Sequence, residues 1–111
     1  MTGDLARRAA AAAVLALLLA ACGTAPADGQ PDAAARLACD DFAQGFEPGL
    51  TLDERAALAR EVEKWAAKSS ATRIPPAARA LTRSVRQPAA WTVAADGFAV
   101  ACYDSGWKAT R

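Results

Sequence analysis

Residues 88–107 read PAAWTVAADGFAVACYDSGW, and two folds compete for them. As a hairpin, Trp91 and Val93 alternate on one strand, Asp96-Gly97 makes a tight turn, and Phe98, Val100 and Cys102 alternate on the next. As a helix, Trp91, Ala95, Phe98, Ala99 and Cys102 recur at the spacing of one helical face, and Gly97 is a flaw of about 1 kcal/mol. The ending favours the helix. Gly106 stands where a left-handed cap belongs, and Trp107 follows where a Schellman motif brings its side chain towards Cys102. The expected fold is therefore all-α, with three helices and a C-terminal hairpin as the alternative.

Working back from that segment, the same periodicity recurs three times. Asp32 can cap a helix whose face carries Ala35, Cys39, Phe42, Ala43 and Phe46, and Glu47-Pro48-Gly49 ends it. Thr51 with Glu54 three residues later forms a capping box that opens a second helix, with Leu58, Val62 and Trp65 on its stripe between Ala59 and Ala66. This helix runs out near Ser69-Ser70. Pro75-Pro76 begin a third, at positions where a missing amide costs nothing, and Ala78, Leu81 and Val85 line its inner face. Residues 32–107 are thus one small antiparallel four-helix bundle, with a short tail at 108–111.

The N-terminal part has a different composition. Arg7 and Arg8 precede an apolar run from Ala9 to Ala21, which as a helix spans only about 20 Å, against about 30 Å for a bilayer core. A short apolar run behind a positive start has the pattern of an export signal over residues 1–21. The run ends in Leu19-Ala20-Ala21-Cys22, followed by Gly23. These residues resemble the lipobox of bacterial lipoprotein precursors. The resemblance implies diacylglyceryl attachment at the Cys22 thiol, cleavage between Ala21 and Cys22, and a chain held at the extracytoplasmic face of the cell membrane by its lipid. An ordinary signal peptide cut after Ala21 is the alternative. The next stretch, GTAPADGQP from Gly23 to Pro31, has almost nothing to bury, so residues 22–31 are expected to act as a flexible tether.

Export leads to an oxidising compartment, and with Cys22 committed to lipid the other two cysteines, Cys39 and Cys102, are expected to form a disulfide. In an up-down-up-down bundle the first and fourth helices are antiparallel neighbours. Cys39 is early in the first and Cys102 late in the fourth, which places them at one end. Such a staple suits a domain whose core is diluted by alanine, 32 residues of 111. The chain beyond the signal is similar to small alanine- and arginine-rich lipoproteins of high-GC Gram-positive bacteria, in which two such cysteines recur. That similarity implies a helical envelope domain and no named activity.

Charge and residue types narrow the function. Thirteen basic residues against 12 acidic ones give no bulk positive field, so nucleic acid is not an expected partner. The absence of histidine excludes serine-histidine and cysteine-histidine catalysis and the common zinc sites. No phosphate loop, calcium loop or nucleophile elbow is present, and no cofactor, metal or catalytic residue is expected. The charge is nonetheless uneven: residues 28–63 carry nine acids and three bases, and residues 64–86 carry six bases and no acid. Arg79, Arg83 and Arg86 share one face of the third helix, near Arg73, Lys64 and Lys68. They either pair loosely with Asp40, Asp41, Glu61 and Glu63 and with water, or offer a surface to anionic lipid headgroups or a negatively charged wall polymer. Trp65 and Trp91 are expected in the core. Trp107, past the last helix, is expected to be partly exposed as a capping contact or a partner anchor. The function these features favour is a non-enzymatic binding or interaction domain at the cell envelope, possible partners being an envelope protein or an anionic polymer. A purely structural surface lipoprotein and a small envelope hydrolase are the alternatives.

Overall fold

A computed structural model describes residues 30–109. The export signal expected at residues 1–21, Cys22 and most of the expected tether are outside the described residues. Four helices follow in order: α1 Ala33–Gly45, α2 Leu52–Ala66, α3 Ile74–Ser84 and α4 Pro88–Asp104. The described residues contain no strand, so residues 88–104 are helix and the hairpin alternative falls.

Each helix begins and ends for a local reason. The Asp32 carboxylate accepts from the Ala35 N–H at 2.6 Å and caps α1. Thr51 and Glu54 close both bonds of the capping box on α2, at 3.2 and 2.9 Å. The α3 and α4 helices have no side-chain cap and instead carry proline in the first turn. At the end of α4, the Trp107 N–H donates to the Cys102 carbonyl and the Gly106 N–H to the Tyr103 carbonyl, each at 3.0 Å. Gly106 has φ +94°, so this is the Schellman closure that residues 102–107 predict.

Sequential helices pack against one another, and α4 returns beside α1. The bundle therefore has an entry end, where α1 starts, α2 passes into α3 and α4 finishes, and a far end that holds the other two connections. Its core draws its members from Ala35 to Trp107 among the described residues, with Phe98, Ile74, Leu81 and Val62 the largest fully buried side chains besides the cysteines. Cys39 and Cys102 are disulfide-bonded, with Cα atoms 5.9 Å apart. Phe42 packs on Phe98 beside them, ring centroids 4.9 Å apart.

The inner faces differ from expectation in detail. On α1, Ala38 is buried and Ala43 is exposed. Trp65 and Val85 are only half-buried, whereas Ile74 and Ser84 are inside. The buried Ser84 hydroxyl donates to the Ala80 carbonyl of its own helix at 2.6 Å, so it brings no unmet polar group into the core.

Candidate functional site

The basic residues singled out in α3 all reach the surface. Arg79 and Arg83 stand one turn apart on its outer face, and Arg86 lies in the turn that follows. None of the three is within 4.0 Å of a carboxylate among the described residues, where Arg73 with Asp104, at 2.6 Å, is the one ion pair. The acids named as their loose partners are employed elsewhere or face other groups. Asp40 accepts from the Trp107 indole N–H at 2.9 Å, and Glu63 from the Thr82 hydroxyl at 2.7 Å. Asp41 and Glu61 line an open cleft of about 440 Å³ between α1 and α2, with Leu50, Glu54 and Leu58. Among the described residues no group of acidic and cysteine side chains is arranged to hold a metal ion.

The entry end carries the densest polar construction. Asp32 has three tasks: it caps α1, accepts from the Ser69 hydroxyl at 3.0 and 3.1 Å, and accepts from both the N–H and the hydroxyl of Ser70 at 2.8 and 2.9 Å. Partial burial alone would raise its pKa. The hydrogen bonds from Ala35, Ser70 and Ser69 outweigh that effect and hold the carboxyl below its ordinary value. The start of α1 is thereby fastened to the connection that follows α2.

Lys64 on the last turn of α2 and Lys68 in the turn just after it bring their Nζ atoms to 5.0 and 5.1 Å from the centroid of the half-buried Trp65 ring. Both lysines are exposed, and among the described residues neither is within 4.0 Å of a carboxylate. Across the bundle at the same end, Tyr103 on the last turn of α4 is 59% exposed and its ring meets Trp107 at 5.5 Å. Trp107 itself is 8% exposed, so the expectation of a partly exposed anchor is corrected: the Schellman closure folds it back onto the disulfide, and Asp40 receives its N–H.

At the far end a cation organises backbone. Arg55 donates from Nε to the Val85 carbonyl at 2.7 Å and from Nη1 to the Leu50 carbonyl at 2.8 Å, joining both connections there. Along α4, Val93 and Val100 are 72% and 56% exposed, so apolar side chains stand on its outer side as well as its inner one, among the exposed Thr92 and Asp96. No described helix is long and apolar enough to cross a membrane.

The sequence draws Arg79, Arg83, Arg86, Lys64 and Lys68 into one basic region, and the fold divides it. Because α3 runs from the entry end to the far end, the arginines string out along the bundle, while the lysines stay beside Trp65 where the chain enters. The sequence marks both lysines as basic but not their stacking on the indole, for which the i, i+3 spacing of Trp65 and Lys68 was the available signal in one of the two contacts. Nor does it reveal the Asp32 and Arg55 clamps, which join residues 30 to 38 positions apart. Searches against protein-family models, curated proteins and solved structures find no match to this chain.

Proposed function

We propose that this chain is a lipid-anchored lipoprotein of the extracytoplasmic membrane face, attached through Cys22, whose helical domain is a non-enzymatic binding module of the cell envelope. The observation that supports the reading best is the disulfide between Cys39 and Cys102. A bond of this kind persists in an oxidising compartment, and it leaves Cys22 as the one thiol for acylation. The apolar run and the four residues Leu19-Ala20-Ala21-Cys22 supply the address. Two acyl chains anchor a protein stably, whereas one gives marginal binding.

Intact mass of the protein extracted from membranes tests the assignment. The expected species begins at Cys22, carries diacylglyceryl and is oxidised at Cys39 and Cys102. Radiolabelled fatty acid is expected to enter the wild-type chain and to be lost in Cys22→Ala. Recovery of a full-length chain with all thiols reduced removes the anchor and the envelope assignment together. For the binding role, a partner is expected to co-purify from detergent extracts; a protein that retains none is a structural lipoprotein instead.

A further inference from the structure

The clamp at Asp32 determines where the preceding chain leaves the bundle. Four hydrogen bonds join Asp32 to Ser69 and Ser70, one and two residues beyond Lys68. The chain therefore departs next to the turn that carries Lys64, Trp65 and Lys68. From Cys22 to Pro31 is ten residues, no more than about 35 Å when fully extended. A membrane holding Cys22 is thus within reach of the entry end, and the far end is a helix length further away.

We propose that the entry end is a membrane-docking surface for anionic phospholipid headgroups, with Lys64 and Lys68 against the phosphates and Trp65 at the headgroup level. The chemistry of the three residues fits that occupant. An indole is amphipathic and favours the membrane interface, and lysine ammoniums reach lipid phosphates on long apolar stems. Stacking on the Trp65 face holds both ammoniums close to the ring, and no described carboxylate neutralises them within 4.0 Å. Tyr103, exposed at the same end of the diagonally placed α4, supplies a second interfacial ring. Arg79, Arg83 and Arg86 extend away from this end along α3 and remain available for another anionic ligand.

This inference rests on the anchored reading, and its test is arranged so that the two can fail separately. The chain from Cys22 to Arg111 contains the whole described core and the disulfide. With Cys39 and Cys102 bonded, Cys22 is its sole thiol and couples to maleimide-lipid vesicles, whether or not cells acylate it. Tryptophan emission is then quenched with headgroup-nitroxide lipid in phosphatidylglycerol-containing and in pure phosphatidylcholine vesicles. Trp91 and Trp107 are buried, so the quenchable signal belongs to Trp65. Strong quenching is expected on phosphatidylglycerol and little on phosphatidylcholine, with loss of the quenched component in Trp65→Phe. Substitution of Lys64→Gln and Lys68→Gln is expected to weaken docking about fivefold for each lysine. Equal quenching on the two lipids overturns the proposal, as does insensitivity to the lysine substitutions. Loss of docking in the triple variant Arg79→Gln, Arg83→Gln, Arg86→Gln, with the lysine variant unaffected, transfers the surface to α3 and overturns it too. Circular dichroism of every variant checks that the helices persist.

Discussion

At the entry end a carboxylate gathers two amides and two hydroxyls, whereas at the far end a guanidinium gathers two backbone carbonyls. Both clamps join parts of the chain 30 or more residues apart, one through an anion and the other through a cation. Asp32 is held below its ordinary pKa because the folded state stabilises its charged form. That stabilisation is complete at neutral pH and disappears as pH falls through the depressed value. Acid therefore loosens the entry end.

The largest expected effect comes from the covalent link between α1 and α4, the helices whose ends frame the entry. Replacing both Cys39 and Cys102 by alanine releases a closed loop with a sequence separation of 63 and is expected to cost about 4 kcal/mol, read as a lowered denaturation midpoint. Next is Asp32→Ala, which removes a helix cap and the hydrogen bonds to Ser69 and Ser70, for about 2 kcal/mol at neutral pH. The gap between wild type and Asp32→Ala should narrow as pH is lowered below the ordinary carboxylate range, and a gap that stays constant contradicts the charged clamp.

Arg55→Met leaves the Leu50 and Val85 carbonyls without their protein donor and is expected to cost about 1.5 kcal/mol. Paired urea titrations of wild type and variant at neutral pH read this loss. The smallest effect lies between the two ends. A methyl group placed on Gly97 meets nothing within 4 Å, and the residue is helical, so Gly97→Ala should stabilise the domain by about 0.7 kcal/mol in thermal unfolding.

What was legible in the sequence follows the distance over which each feature acts. The capping box of Thr51 and Glu54 and the Schellman closure at Gly106 each involve residues three to five apart, and both formed as their spacing implies. The ambiguous final segment was decided by the same local rules. Its hairpin pattern puts Trp91 and Val93 on one face, yet Trp91 is buried and Val93 exposed, as the helical period requires. Contacts across the bundle were not legible. That Asp32 would meet Ser69 and Ser70, Arg55 meet Val85, and Trp107 meet Asp40 depends on how the helices turn about their axes. Alanine leaves that rotation weakly specified, which is why Ala38 rather than Ala43 faces inward and why Trp65 lies half outside.

The position of the disulfide has a mechanical consequence. Pulled from its two termini, the chain can pay out only the segments before Cys39 and after Cys102, because the bridge carries the load past everything between them. A single proteolytic nick within that loop likewise leaves both fragments joined. Whatever load pulls on the two ends of this domain, α2 and α3 are shielded from it.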